Sequence, residues 1–281
     1  MEQIRIAVSG SNGFVGRNLR RFLSEKKIPV TTLARKKHKQ FRLEKRIVFS
    51  NLVEKNLAGK LKGCTALIHL IGTGVQTASS DYDLVNVDIT NNMISLCKKS
   101  KIKKIVYISG LGVHPSTTFG YFISKFRAER QIIRSGLDYT ILRASYIVGK
   151  DDPLTKNLAR QASHGAIIIP GTGSYRLQPI SVVDVSKIIL ECVINKKLSN
   201  KIVDLVGPKT VTFASFANRF AKNKGVKVKK ISLEKAYYDA LNRPSAAAYG
   251  LDDLNILVGD YTGNYEKLER LCGFKIHAPV L

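Results

Sequence analysis

The stretch Gly10-Ser11-Asn12-Gly13-Phe14-Val15-Gly16 joins an apolar, strand-like run to a segment of helical periodicity that begins at Val15. Glycines at this spacing, placed between a strand and a helix, are typical of a loop that binds a dinucleotide. Gly10 permits the tight turn out of the strand, Gly13 lets a pyrophosphate approach the backbone, and Gly16 lets the helix pack closely on the sheet. Free N–H groups at the helix N-terminus can then bind the phosphates. The alternative interpretation is a glycine-rich turn without a ligand.

Strand-like apolar runs alternate with helical periodicity around this loop and through the first two thirds of the chain. The alternating segments are residues 4–9, 15–26, 30–34, 47–49, 66–71, 83–99, 105–109, 121–135 and 139–143. Repetition of this kind makes a parallel sheet covered by helices on both faces, and right-handed crossovers fix its winding. The sequence therefore predicts an α/β fold, a Rossmann-type doubly wound parallel sheet.

The alternation loosens past Gly149. Helices are predicted over residues 154–163, 182–194, 211–222 and 265–271, a strand over 202–206, and an irregular, lysine-rich stretch after 222. We expect residues 1–150 to form the NAD(P)-binding Rossmann core. Residues 151–281 are expected to form a smaller C-terminal α/β lobe for substrate or partner, interleaved with the end of the core sheet.

The overall charge is the unusual feature of the composition. The chain has 46 Lys and Arg residues against 21 Asp and Glu, a formal net charge of +25. Such an excess attracts polyanions. The basic residues cluster at 35–39, 98–104 and 222–230, without an aromatic stacking ladder or a DNA-binding motif. We interpret most of them as solvated faces, with an anionic surface or a protein partner as the alternative; nucleic acid is the least favoured partner.

Localisation and metal binding follow from what the sequence lacks. It has no run of the ~20 apolar residues that a membrane-spanning helix needs. The N-terminus also leads almost directly into a strand pattern, so we expect a cytoplasmic protein without a cleaved signal. The four cysteines share no C-x-x-C spacing and the five histidines form no motif, so no metal site is predicted.

The stretch Tyr121-Phe122-Ile123-Ser124-Lys125 follows the strand-like run 105–109 by a dozen residues. Its i, i+4 spacing puts the phenol and the ammonium on one helix face. An ammonium beside a phenol favours the phenolate and is expected to lower the pKa of Tyr121. Together with the glycine loop, this Y-x-x-x-K pattern resembles the short-chain dehydrogenase/reductase superfamily, in its extended and atypical branches.

Two later segments extend the resemblance. Residues 141–145, Ile-Leu-Arg-Ala-Ser, are similar to the family's I-L-R-P segment, with Ala144 where proline is usual. Residues 178–185 resemble its P-x-x-V-x-D-V stretch, in which Asp184 is expected to cap a late helix. Over about residues 1–220, the chain looks most like the atypical subgroup that contains the NADPH-holding accessory subunit of respiratory complex I and its prokaryotic relatives.

The resemblance implies a set of catalytic residues. Tyr121 would exchange a proton with the substrate oxygen, and Lys125 would tune the phenol and hold the nicotinamide ribose. Active relatives also place a Ser or Thr just beyond the fifth strand, where this chain has Gly110. Ser109, one step earlier, is then the candidate donor to the substrate oxygen.

The resemblance also implies the cofactor contacts. Arg35 ends the second strand, where a carboxylate would select NAD, whereas a guanidinium can pair with the 2′-phosphate of NADP. NADP(H) is thus favoured over NAD(H), unless Arg35 merely begins the basic run. Asn51 lies where the adenine is expected, and Asn86 resembles a buried structural asparagine of the family. The predicted cofactor-binding residues are Gly10, Ser11, Asn12, Gly13, Phe14, Val15, Arg35, Leu70, Ile71, Gly72 and Lys125.

Two classes of function stay open. The first is an NADP(H)-dependent oxidoreductase or epimerase-like enzyme that acts on a carbonyl or hydroxyl group of an unknown small molecule. The second is a non-catalytic protein that holds NADPH as a structural or redox-sensing ligand beside a protein or membrane surface. The glycine at position 110, the positive charge and the resemblance to the complex I subunit are the features in favour of the second. A monomer and a dimer are equally open.

Overall fold

The computed structural model describes residues 4–54 and 56–279. Its strands are β1 (Ile6–Ser9), β2 (Val30–Ala34), β3 (Glu44–Val48), β4 (Ala66–His69), β5 (Lys104–Gly110), β6 (Asp138–Ala144), β7 (Ile147–Val148), β8 (Ala166–Pro170), β9 (Arg176–Leu177), β10 (Ile180–Ser181), β11 (Lys201–Leu205), β12 (Val211–Thr212) and β13 (Lys227–Ile231). Its α-helices are α1 (Phe14–Glu25), α2 (Leu57–Lys60), α3 (Ile89–Ser100), α4 (Gly120–Arg134), α5 (Pro153–Ser163), α6 (Val182–Ile194), α7 (Phe213–Lys224), α8 (Leu233–Asn242), α9 (Leu251–Leu257) and α10 (Tyr265–Cys272). None of the helices in these ranges is both long enough and apolar enough to cross a bilayer.

Seven strands form one parallel sheet in the order β11-β6-β5-β4-β1-β2-β3. The chain enters at β1, runs outward to β3, and then returns to place β4 on the other side of β1. In open α/β sheets, a reversal of this kind leaves a crevice at the carboxyl ends of the strands, where ligands bind. The structure thus confirms the predicted doubly wound Rossmann-type sheet.

Successive side chains of a strand point to opposite faces of the sheet, and hydrophobic clusters cover both faces. Ile6 and Val8 belong to one hydrophobic cluster, which includes residues of α1, α6 and α10. Ala7 belongs to the other, which includes residues of α2, α3 and α4. Helix α10 supplies buried side chains to the first cluster, and Ile276 beyond it is buried there as well. The end of the described chain therefore packs against β11 and completes a cluster to which the first strand also belongs.

A third cluster lies beyond the main sheet and is built mainly by α5, α7, α8, α9 and the parallel pair β8–β13. The expectation of an irregular lysine-rich stretch after residue 222 was wrong, because β13 and two helices occupy it. On β13 the lysines 227, 229 and 230 are exposed, whereas Val228 and Ile231 pack against the third cluster. The division of the chain at residue 150 stays a prediction.

The cap of α6 also differs from the expectation. Ser181 is the N-cap, because its Oγ accepts a hydrogen bond from the Val183 N–H at 3.1 Å. Asp184 lies in the first turn of the helix, where its carboxylate accepts hydrogen bonds from Lys187 Nζ at 2.9 Å and from the His277 N–H at 3.3 Å. Asp184 was therefore wrongly predicted as the cap; it instead fastens the segment after α10 to α6.

Candidate active site

The glycine loop has the close backbone contacts that its sequence predicts. Gly10 has a φ of +67°, and a Cβ added there would lie 2.6 Å from the Leu70 carbonyl carbon. A Cβ at Gly16 would collide with the Gly10 carbonyl oxygen. Among the described residues, no side chain caps α1 at Gly13 and no acidic residue stands in its first turn. The N–H groups at this helix end are therefore well placed for an anionic ligand.

A cavity of about 640 Å³ opens at the carboxyl ends of β1, β4, β5 and β6 and extends to α5 and α9. Nine of the predicted site residues line it together: Gly10, Gly13, Phe14, Val15, Leu70, Gly72, Ser109, Tyr121 and Lys125. The structure thus brings the glycine loop and the Y-x-x-x-K motif, which are about 100 residues apart in sequence, to one site.

Four predicted cofactor residues lie outside the lining of this cavity. Ser11 is buried, with its Oγ 3.3 Å from both the Leu33 carbonyl oxygen and His38 Nε2. Ile71 packs against the second hydrophobic cluster. Asn12 and Arg35 are exposed, next to the glycine loop and at the end of β2. Asn51, the expected adenine contact, is also exposed and bonds the N–H of Val53.

Lys125 is buried beside the loop that follows β4. Its Nζ donates hydrogen bonds to the Tyr107 hydroxyl and the Ile108 carbonyl oxygen, each at 3.1 Å. Gly72 leaves the space for it, since a Cβ there would lie 2.8 Å from Nζ. Burial lowers the pKa of Lys125 to about 8, against the opposing effect of the Glu129 carboxylate.

The expected lowering of the pKa of Tyr121 is wrong for this structure. Burial raises the pKa of its phenol to about 12. Lys125 Nζ lies 6.0 Å from the centre of the Tyr121 ring and is hydrogen-bonded to Tyr107 instead. The phenol is therefore protonated across the neutral range, which suits a group that donates a proton.

Ser109 is the most informative polar group of the cavity. The residue is 2% exposed, and its Oγ has no hydrogen-bond partner among the described residues. A buried hydroxyl without a partner costs free energy, and a ligand oxygen in the cavity would relieve that cost. At Gly110, by contrast, a Cβ would lie 3.1 Å from the Phe122 ring and 3.4 Å from the Tyr121 ring. A serine at position 110 would therefore crowd the aromatic rings.

A buried polar network supports these residues from behind. Asn86 accepts a hydrogen bond from the Thr73 N–H at 3.0 Å, and its Nδ2 donates to the Thr73 carbonyl and to Ser124 Oγ. It thereby ties the loop after β4 to α4, which is the structural role considered for it from the sequence. His69 stacks on Tyr107, and burial together with the charge of Lys125 lowers its pKa to about 3. The imidazole is therefore neutral.

The far half of the cavity was missed by the sequence reasoning. It is lined by Tyr146, which follows β6, by Leu154 of α5, and by Asp253, Ile256 and Leu257 of α9. The position of Tyr146 at the carboxyl end of a predicted strand was a usable signal. The residues of α9 carry no motif, and only the packing of the third cluster brings them to the site.

Comparison with known protein families gives one broad match. Residues 10–196 match a family described as NAD(P)H-binding. The chain is 25% identical over 213 residues to the uncharacterized sugar epimerase YhfK of Bacillus subtilis. The aligned region covers 72% of this chain and 94% of that protein. The chain is 23% identical over 150 residues to the 40 kDa subunit of mitochondrial NADH-ubiquinone oxidoreductase from Neurospora crassa, covering 53% of this chain but 39% of that subunit.

Solved structures show the same fold over nearly the whole chain. MoeE5 in complex with UDP-glucuronic acid and NAD aligns with a TM-score of 0.79 at 18% identity, over 98% of this chain and 94% of that one. A nucleoside-diphosphate-sugar epimerase from Staphylococcus aureus aligns with a TM-score of 0.75 at 18% identity, over 98% of each chain. The sequence matches confirm the resemblance predicted from the two motifs, and at these identities the structural matches establish the fold alone.

Proposed function

This chain belongs to the NAD(P)H-binding family, and from that premise we propose that it is an NADP(H)-dependent oxidoreductase that reduces a carbonyl group. The observation that carries the proposal is the buried, unpartnered hydroxyl of Ser109, a residue that lines one cavity with Tyr121, Lys125 and the glycine loop. A reduced nicotinamide bound there would supply the hydride. The glycine loop fits such a group because it presents open backbone and a helix N-terminus without a carboxylate.

The protein's own residues then have distinct roles. Tyr121, protonated in its buried position, donates the proton to the substrate oxygen. Ser109 donates a hydrogen bond to the same oxygen, where negative charge develops. Lys125 holds the nicotinamide ribose, and its ammonium stabilises charge on the phenol after proton transfer. Because the phenol is a weak acid here, the site favours reduction of a carbonyl over oxidation of an alcohol at neutral pH. An epimerase, which needs both directions, is the alternative within the same fold.

The reaction is tested by following NADPH oxidation while small carbonyl compounds are added to the purified protein. Turnover that stops when Ser109 is replaced by alanine would support the assignment. Tight NADPH binding without turnover of any carbonyl or hydroxyl compound would instead favour the non-catalytic role as an NADPH-holding protein. For that role, the similarity to complex I subunits and the charge of +25 support a protein or membrane-surface partner.

Selectivity for NADPH is proposed to depend on Arg35. Its side chain makes no hydrogen bond or ion pair with the described residues and is exposed at the end of β2. We expect Arg35→Ala to weaken NADPH binding by about 10- to 100-fold, the value of one or two charged hydrogen bonds, and to leave NADH binding nearly unchanged. Paired fluorescence titrations with the two cofactors measure the effect. Arg134→Ala, the same change at the exposed C-terminal end of α4, is the control. If Arg35→Ala weakened the binding of NADPH and NADH equally, the proposed role of Arg35 would be contradicted.

Cofactor binding is expected to weaken at alkaline pH because Lys125 loses its charge there. A lysine binds ligand oxygens as the ammonium, and burial brings the pKa of this one down to about 8. The Kd for NADPH should therefore be flat below that pKa and should rise by about tenfold as the pH increases to about 10. The 2′-phosphate of NADPH keeps a constant charge over this pH range, since its own pKa is about 6. Titrations of Lys125→Met should give a weak Kd for NADPH that no longer changes over this pH range. If the Kd of this variant depended on pH in the same way as that of the parent protein, Lys125 would be excluded as the group that binds the cofactor.

A further inference from the structure

The half of the cavity that lies beyond Tyr121 has mainly apolar walls. Tyr146 contributes its ring from one side, Leu154 lies at the start of α5, and Ile256 and Leu257 come from α9. Helix α9 is held over this space by the loop after β4, because the Gln76 N–H donates to Asp252 Oδ2 at 2.9 Å. A substrate that enters here therefore exchanges water for apolar surface.

The charges around this half are negative. Two acidic residues belong to the cavity wall, Asp253 and the fully buried Asp152, and Lys125 is the one basic residue among the described residues of that wall. Two of the three Nζ donors of Lys125 are bonded to Tyr107 and to the Ile108 carbonyl, and the third is assigned to the nicotinamide ribose, so none remains for an anion at this end. An anionic substrate group would therefore face repulsion without a compensating cation.

The helix end nearest to this space is also closed to anions. Helix α5 begins at Pro153, which has no N–H, and Asp152 occupies its N-terminus. The Asp152 carboxylate accepts hydrogen bonds from the Thr155 N–H at 2.9 Å, from Thr155 Oγ1 at 2.7 Å and from the Gly149 N–H at 3.1 Å. The donors that would otherwise bind a phosphate are satisfied by the protein's own carboxylate.

The arginines of the neighbouring elements are bonded as well. Arg143 of β6 is paired with Glu129 at 2.6 Å, and Arg176 of β9 is paired with Asp260 at 2.7 Å. Arg160 of α5 donates to the carbonyl oxygens of residues 247 and 248. Recruiting any of them to a diphosphate would require an existing interaction to break.

We propose that the substrate is an uncharged, largely apolar carbonyl compound, such as an aryl ketone, and not a nucleoside-diphosphate sugar. This inference rests on the proposed function. The carbonyl carbon accepts a hydride from the reduced nicotinamide while its oxygen accepts a proton from Tyr121, which gives an alcohol and the oxidised cofactor. A fold shared with MoeE5 in complex with UDP-glucuronic acid does not carry that substrate over to this chain, because a diphosphate would meet Asp253 here, and Lys125, the one basic residue of the described wall, is already hydrogen-bonded.

The test compares two ketones of matched shape on the NADP⁺-loaded protein. The probes are 2-acetylnaphthalene and 6-acetyl-2-naphthoic acid, which adds one negative charge, with UDP-glucose as the diphosphate. We expect the neutral ketone to bind at least about tenfold more tightly than the acid, and UDP-glucose more weakly still. The variant Asp253→Asn can still accept a hydrogen bond from the Gly250 N–H. In this variant, the ratio of the Kd of the acid to the Kd of the neutral ketone should fall severalfold.

Each outcome is decisive. Equal or tighter binding of the acid or of UDP-glucose would overturn the substrate class and leave the oxidoreductase proposal intact. Binding of neither ketone by a protein that binds NADPH would also overturn the substrate class. Parallel assays of NADPH binding and of NADPH oxidation separate these results from a failure of the proposed function, which would appear as absent cofactor binding or as binding without turnover of any carbonyl compound.

Discussion

Tyr121→Phe is expected to lower kcat for carbonyl reduction by about 10²- to 10⁴-fold, the usual contribution of a positioned general acid. The change removes the hydroxyl that donates the proton but keeps the ring. That ring packs edge-on against Tyr82 and Phe122, with centroids 6.0 Å and 5.0 Å away, so the site should retain its shape. The Kd for NADPH should change by no more than about twofold, because the lost group acts on the transition state.

Steady-state rates at saturating NADPH, together with a cofactor titration, measure this effect. Tyr238→Phe on the exposed face of α8 is the matched control, and it should retain full activity. A Tyr121→Phe enzyme with a kcat close to that of the parent would remove Tyr121 from the chemistry and leave Ser109 as the only hydroxyl candidate of the original prediction.

Glu44→Ala is expected to cost about 3–5 kcal/mol of unfolding free energy, because it leaves the Arg20 guanidinium buried without its counter-charge. Both side chains are 2% exposed, and two hydrogen bonds of 3.0 Å join them. Arg20 also donates to the Ser11 carbonyl at 3.1 Å, inside the glycine loop. The substitution should therefore weaken NADPH binding in addition to destabilising the fold.

Urea unfolding measures the loss of stability, and an exposed pair supplies its control. Asp83 and Arg127 form an ion pair at 2.8 Å in which each side chain is 56% exposed. Asp83→Ala should cost less than about 1 kcal/mol, because water replaces the lost partner. Similar losses for the two variants would mean that burial does not decide the cost of breaking the Arg20–Glu44 pair.

The sequence predicted those elements that depend on local patterns. Val30–Ala34 and Val182–Ile194 were predicted to the residue, since apolar runs bounded by polar residues mark both ends. The glycine loop and the Y-x-x-x-K motif were placed in one site through the resemblance to the short-chain dehydrogenase/reductase superfamily. The same resemblance made Ser109 a candidate donor, although its lack of a partner became visible only with the neighbours in place.

What the sequence could not provide depends on long-range packing. The Arg20–Glu44 pair joins two residues 24 positions apart, and no local pattern predicts it. The bond between Lys125 and Tyr107 was not predicted for a related reason. The i, i+4 rule describes one helix face, whereas both hydrogen-bond partners of the ammonium, Tyr107 and the Ile108 carbonyl, come from β5. Burial then changes the pKa of Tyr121 in the direction opposite to that expected from the motif alone.

The place of α10 in the same hydrophobic cluster as the first strand also bears on how the chain folds. Ile6 and Ile276 belong to the same hydrophobic cluster, although nearly the whole chain separates them. At a synthesis rate of about 5–20 residues per second, the ribosome would make the two partners roughly 15–50 s apart. During that interval, the first hydrophobic cluster lacks part of its final cover, and clusters that join such distant residues form slowly. Nascent chains of this protein are thus expected to need protection from aggregation until residues 268–276 emerge and complete the cluster.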